Sequence, residues 1–349
     1  MKWIGLILCV SIYISCTRDK GLYVPHKPTP VSLKIPEHFS EPVIPADNPL
    51  TAEGIQLGRR LYYDPILSSN GLSCSSCHHP SKSFSTPLFI SQTGKLVSVP
   101  PHINLAWNGN YNWNGSEPKL DLLCLGDFKP EFFNTDMSKL VKDLKEHPLY
   151  PEMFRKAFNI RVQDIPHEEL QLKIVYAISQ FLRTMISSGS RFDKWIRHEG
   201  MLTDEEMTGY ELFYTEKGDC FHCHGYPLMT SNTFNNNGLD ATHTGDGLGR
   251  YLVTGDENDK GKFSAPTLRN IELTAPYMHD GRFKTLEEVV EFYNSGVHWN
   301  SPNIDPLMTK PFKQYGLKLN DYQKSCLVKF LKTLTDSAFI NNPDFSKPF

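Results

Sequence analysis

Two short segments constrain this chain more than anything else in it: Cys74-Ser-Ser-Cys77-His78, inside "LSCSSCHHPSKSFS", and Cys220-Phe-His-Cys223-His224. A CxxC pair alone fits a zinc site, a redox disulfide or covalent haem attachment. The histidine directly after each second cysteine favours the third, because CxxCH is the c-type haem attachment motif. In it both thiols form thioethers to the vinyl groups and the histidine reaches the iron. A zinc site, the main competitor, needs the two distant pairs to converge or to recruit His78 and His224. A thioredoxin-like pair wants a βαβ setting, which this sequence does not offer. Two covalently bound haem c groups are therefore expected, with His78 and His224 as proximal ligands. The neighbouring His79 and His222 fall outside the ligand position and suit surface roles.

The motifs sit in two halves that repeat one order of features. "GRRLYY" (58–63), the first motif and "AISQFLRTMI" (177–186) are matched by "GYELFY" (209–214), the second motif and "CLVKFLKTLT" (326–335), in near register. That is the mark of a duplicated unit. The helical signals are strong. Thr203 with Glu206 forms a capping box ahead of Met207, Tyr210 and Phe213, and Thr285 with Glu288 forms another ahead of Val289, Val290 and Tyr293, with Gly296 as a stop. Apolar residues at 172, 175, 178, 182 and 186 predict one long amphipathic helix closing the first half. Strand alternation is scarce. The reading is two mostly α domains, 48–198 and 199–349.

The N-terminus, "MKWIGLILCVSIYISC", has one lysine, a short apolar run and then Ser15-Cys16. It is too short to span a bilayer and reads as a secretory signal over 1–16, with Cys16 placed as the lipidated residue of a bacterial lipoprotein. The proline-rich stretch 17–47 reads as an extended tether. The expected location is the periplasm, with a lipid anchor as the only membrane attachment, and haem c is attached outside the cytoplasm in keeping with this. A formal net charge of −3 gives no reason to expect a nucleic-acid partner. Cys124 and Cys326 remain, either bridged in an oxidising compartment or as two buried thiols.

Beyond the motifs, "FSAPTLRNIELTAPYMHDGRFKTLEEVVEFYNSG" (263–296) closely resembles the C-terminal domain of the bacterial di-haem cytochrome c peroxidases and their MauG relatives. "GIQLGRRLYYDPILSSNGLSCSSCHHPSKSFS" and "PPHINLAWNGNYNWNG" resemble the same family's first domain, and the likeness runs over roughly residues 48 to 336. The resemblance implies an all-α fold of two cytochrome c-like haem domains with extended loops, often with calcium between them and, in many members, a homodimer. It implies that the N-terminal haem binds hydrogen peroxide, and that the C-terminal haem receives electrons from a small cytochrome c or copper protein. Trp113, matching the family tryptophan between the haems, is then an electron-transfer residue, with a plain core aromatic as the alternative.

Several positions depart from the family pattern. Many members cap the N-terminal iron with a histidine in the loop after the first motif; here "TPLFISQTGKLVSVPP" has none, and His102 lies in a segment that aligns beyond the loop. An open iron at His78, as in MauG, is the expectation. Counting fourteen residues on from His279 of the "PYMHDG" segment reaches Tyr293 where most members have methionine. Tyr293 is the expected second axial ligand, as in MauG, with Met278 and Met308 as alternatives. The family's catalytic glutamate falls on Phe133 by gap-free counting and its glutamine on Leu123; aligning the segment's proline instead makes Glu131 the nearest acid, with Asp136 on the other side, and Glu131 is the expected proton-transfer group. Thr274 and Pro276 match positions that lend carbonyls to calcium, while the family asparagine is replaced near Ser98. Three functions stay open: a peroxidase, a MauG-like oxidase of a protein substrate, and a non-enzymatic di-haem electron carrier.

Overall fold

In each half a glycine lets two helices cross with their backbones nearly touching. The computed structural model describes residues 25–90, 96–311, 313 and 316–349. Its principal helices are α1 (Ala52–Tyr63), α2 (Met137–Glu146), α3 (Tyr150–Phe158), α4 (His167–Arg183), α5 (Arg191–Ile196), α6 (Asp204–Phe213), α7 (Leu286–Glu291) and α8 (Asp321–Lys332). A Cβ on Gly58 of α1 would run into the Ala177 carbonyl of α4, and one on Gly209 of α6 into the Cys326 carbonyl of α8. The two crossings bring together "GRRLYY" with "AISQFLRTMI", and "GYELFY" with "CLVKFLKTLT". The repeat seen in the sequence is thus a repeat of one helix pair.

Each pair organises its own apolar core. Leu57, Leu61, Tyr62, Phe84, Phe154, Phe181 and Leu182 are buried in the first, and Phe192, Phe213, Val290, Leu327 and Phe330 in the second. Burying each such side chain contributes about 1.5–3 kcal/mol. Both expected capping boxes form: Thr203 Oγ1 accepts from the Glu206 N–H and Thr285 Oγ1 from the Glu288 N–H. The helix begun at Thr285 does not simply stop at Gly296; it widens over Phe292–Gly296 into a π-helical turn. Strand is confined, among the described residues, to two antiparallel pairs, β1 (Thr86–Ile90) with β2 (Leu96–Val99) and β3 (Phe234–Asn235) with β4 (Phe263–Ser264). The fold is largely helical, as expected.

Two segments pack differently from the sequence-based division. The signal segment with Cys16, and residues 17–24 of the tether, lie outside the described residues. From residue 25 the proline-rich stretch is strapped to the body rather than free. The Thr29 N–H donates to Glu53, the Val31 N–H to the Leu50 carbonyl, and Phe39 is buried edge-on to Trp107 with the Arg269 guanidinium over its ring. The chain end, assigned by sequence to 199–349, returns to the first core through Phe339 and Phe345, and Tyr63 donates its hydroxyl to the Phe345 carbonyl. Apolar side chains at intervals in both segments gain more from covering a core edge than from solvation. No helix among the described residues is long and apolar enough to cross a membrane.

Candidate haem-binding sites

The first motif forms a single helical turn, Cys74–Cys77, opened by Ser73 in a reciprocal capping box with Ser76. The chain then reverses through Ser83 and Phe84, both in the left-handed region at φ 54° and 58°. That reversal aims the Phe84 carbonyl at His78, whose Nδ1 lies 2.9 Å away. A ring that donates through Nδ1 keeps Nε2 as the free base, the form a metal ligand needs. Burial pushes His78 down to about 4, which keeps it neutral. The second motif repeats the device: Met229 adopts φ 55° and its carbonyl lies 3.3 Å from His224 Nδ1, and burial again pushes the histidine to about 4.

Each motif opens into a cavity. The first, about 820 Å³, is lined by Cys74, Cys77, His78, Trp113, Asp127 and Phe133 among others. The second, about 240 Å³, holds Cys220, Cys223, His224, Met278, Tyr293 and Met308. All four motif cysteines are free thiols. Paired free thiols, a neutral imidazole with one nitrogen tied back, and an apolar cavity together form the donor set of a covalently held haem, so the residues present fit two such groups.

His102 does not face His78 across the first cavity. Its ring stacks on the His78 ring at 3.5 Å between centroids, and its Nδ1 lies 3.2 Å from the Tyr62 hydroxyl. It therefore sits beside His78 rather than across the cavity from it. Residues 86–90 and 96–99, in the loop where the family resemblance implies a capping histidine in many members, form the β1–β2 pair; residues 91–95 between them lie outside the described residues.

The carboxylates are placed differently from the sequence expectation. Glu131 is exposed and does not line the cavity. The acid that does, on the stretch carrying Leu123, Cys124 and Phe133, is Asp127. In the 3₁₀ run Leu120–Phe128, Asp127 is half-buried on the face that the three-residue repeat shares with buried Asp121 and Cys124, whereas Glu131 lies beyond the run and is exposed. The surrounding "DLLCLGDF" is apolar enough to have signalled that its two acids, Asp121 and Asp127, are drawn inward.

At the second cavity the three candidate ligands share one apolar cluster with Leu239, Phe292 and Val297. The Asn237 amide donates to the Tyr293 hydroxyl at 3.0 Å and approaches Met278 Sδ at 3.8 Å. Burial raises Tyr293 to about 12, with the Asn237 bond pulling the other way. Tyr293 stands on the π-helical turn, a deviation that often marks functional positions in helices.

Trp113 lines both cavities, as does His279. The Trp113 indole N–H donates to the Ser98 carbonyl at 2.6 Å, and its own carbonyl accepts from the Ser264 N–H at 2.8 Å. Trp113 is thus fixed by both halves of the chain. His279 stacks on Phe263 at 3.6 Å, and its carbonyl accepts from the Ser98 N–H. Thr274 and Pro276 line the second cavity, where the Ser98 hydroxyl donates to the Pro276 carbonyl at 3.5 Å. Neutral oxygens of this kind suit calcium only when water completes the shell. Cys124 and Cys326 are buried free thiols, Cys124 in the first core and Cys326 on α8. His79 and His222 are exposed, and His222 joins Glu216 and Asp219 in a cluster bridged by Lys310.

Comparison with known proteins gives one answer. The sequence profile described as di-haem cytochrome c peroxidase matches residues 52–201. The cytochrome c551 peroxidase of Nitrosomonas europaea is 33% identical over 322 residues, covering 88% of this chain and 87% of that protein. The methylamine utilization protein MauG of Methylorubrum extorquens is 32% identical over 298 residues, covering 83% and 80%. A solved MauG-like protein associated with microbial copper homeostasis superposes with a TM-score of 0.80 at 34% identity, covering 91% of this chain and 99% of that one.

Proposed function

The chain belongs to the di-haem cytochrome c peroxidase family that includes the MauG proteins, and from that premise we propose that it reduces hydrogen peroxide to water with electrons from a small periplasmic cytochrome or copper protein. The observation that carries this reading is the side of the first cavity opposite His78. Of the other described histidines lining that cavity, His102 is stacked on His78 itself and His279 is stacked on Phe263, which supports a face left free for peroxide. When bound, c-type haem supplies an iron centre that takes up peroxide and passes electrons singly.

The chain's own residues divide the remaining work. Cys74, Cys77 and His78 would hold the peroxide-binding group, and Cys220, Cys223 and His224 the electron-receiving one. The Phe84 and Met229 carbonyls orient the two imidazoles and keep them basic. Trp113 borders both cavities and carries electrons between them. Tyr293, whose hydroxyl accepts from the Asn237 amide, would serve with His224 in holding the C-terminal haem. Export by the 1–16 segment and lipidation at Cys16 would keep the protein at a periplasmic membrane surface.

A second reading is a MauG-like oxidase that uses peroxide to modify a protein substrate, and the placement of Tyr293 in the second cavity favours it. The experiment is to titrate the as-isolated diferric protein with peroxide, alone and with a reduced small cytochrome. A high-spin ferric signal with rapid donor oxidation supports the peroxidase. A long-lived oxidised state with poor donor turnover supports the MauG-like reading. Two low-spin irons without peroxide turnover would leave only an electron carrier.

A further inference from the structure

We propose that Asp127 is the proton-transfer group of the first cavity, a role that rests on the peroxide-reducing reading above. Four observations meet at this residue. It lines the cavity that holds Cys74, Cys77 and His78, on a stretch of wall with Leu123, Cys124 and Phe133. Its backbone is fixed, because its carbonyl accepts from the Phe133 N–H at 2.9 Å. Among the described residues it forms no ion pair, whereas Asp240 and Asp280, two of the three other aspartates lining this cavity, are both bound to Arg282. Glu131, four residues on, is exposed and outside the cavity.

An unpaired carboxylate in an apolar wall is costly in its charged form. Burial accordingly raises Asp127 to about 7, against a hydrogen bond with Cys124 that lowers it. The titratable groups facing it are Cys74 and Cys77 on the motif turn and Cys124 on its own 3₁₀ run. Thioether formation removes the first two as acids, leaving Cys124, whose thiol is itself held neutral by burial. A carboxylate with this affinity takes and returns a proton at neutral pH, which is what a general acid–base group must do.

The chemistry balances as follows. Asp127 accepts the proton of one peroxide oxygen and delivers it to the other; the O–O bond breaks, and the second oxygen leaves as water with both original hydrogens. The first oxygen becomes water with two electrons from the external donor and two protons from solvent. Asp127 ends in the state in which it began. Phe133 stands at the family's glutamate position, so Asp127 supplies this function from a different point on the same wall.

The test uses the di-haem holoprotein and the variants Asp127→Asn and Asp127→Glu. Cyanide association is the first readout, since hydrogen cyanide gives up its proton on binding and needs the same base without any turnover. Asp127→Asn is expected to keep its haem content and as-isolated spectrum, while cyanide association and peroxide consumption both fall by about 100-fold or more, with partial rescue by Asp127→Glu. Cyanide association unchanged in Asp127→Asn overturns the proposal whether or not the parent consumes peroxide. A parent that binds cyanide quickly but consumes no peroxide instead refutes the peroxidase reading. Should Asp127→Asn lose haem, infrared difference spectra of the parent decide. A carboxyl band that titrates near neutral pH and shifts with cyanide supports Asp127, and no such band overturns it.

Discussion

Replacing Asp193 by alanine should nearly unfold the second core, and the structure says by how much. Asp193 and Arg269 are each 1% exposed, and the guanidinium donates to both carboxylate oxygens at 2.8 and 2.9 Å. The same carboxylate accepts from the Ser190 N–H and hydroxyl, closing the capping box of α5. Removing one partner of so buried a pair costs about 3–5 kcal/mol, because the other charge is left in a dry interior. Losing the two hydrogen bonds that Ser190 donates to this carboxylate adds about 1 kcal/mol. The total of about 4–6 kcal/mol rivals the whole stability of an ordinary domain. At a urea slope of about 2 kcal/mol/M the unfolding midpoint should fall by about 2–3 M, read by far-UV circular dichroism and Soret absorbance. Arg269 also donates to the Pro227 carbonyl, in the loop between His224 and Met229, so the second haem's spectrum should broaden as well. Adding Arg269→Met should recover at least half of the loss, since a buried apolar pair carries no stranded charge. Burial would raise the Asp193 carboxyl, but Arg269 and Ser190 outweigh it and hold it below the usual range. Its contribution is therefore complete above the ordinary carboxylate pKa and is lost as pH falls through the depressed value. A midpoint shift below about 0.5 M in Asp193→Ala, or losses that simply add in the double variant, would refute the argument.

Tyr293→Phe should change the absorption of the second haem and raise its potential, and an unchanged spectrum would remove Tyr293 as a ligand. Trp113→Phe should slow electron transfer between the haems while leaving each spectrum intact, as measured by rapid mixing with a reduced donor; unchanged transfer would make Trp113 a packing residue. Gly58→Ala and Gly209→Ala should each destabilise their own helix crossing by about 1–3 kcal/mol or more, read as separate shifts in denaturant unfolding. Equal tolerance of alanine at both would contradict the close backbone approach found there.

The parts of this protein legible in its sequence are those written at short range. The cysteines and histidines of the two CxxCH motifs are adjacent in the chain, so spacing alone singled out Cys74, Cys77, His78 and their second-half counterparts as the haem-attachment candidates. Capping boxes at Thr203 and Thr285 span one helical turn and could be read the same way, and the duplicated order of features foretold the repeated helix crossing. Tertiary structure decided what depends on exclusion of water by distant segments. His102 could have been a distal cap by composition, and only packing set it against His78. Glu131 and Asp127 are four residues apart and chemically alike, yet Asp127, inside a 3₁₀ run, is half-buried against the cavity while Glu131, beyond the end of that run, is exposed. The Phe84 and Met229 carbonyls orient the two histidines through left-handed backbone turns, which no side-chain pattern announces. Local chemistry can be spelled by neighbouring residues; the environment that tunes it is built from segments that meet only when the chain folds.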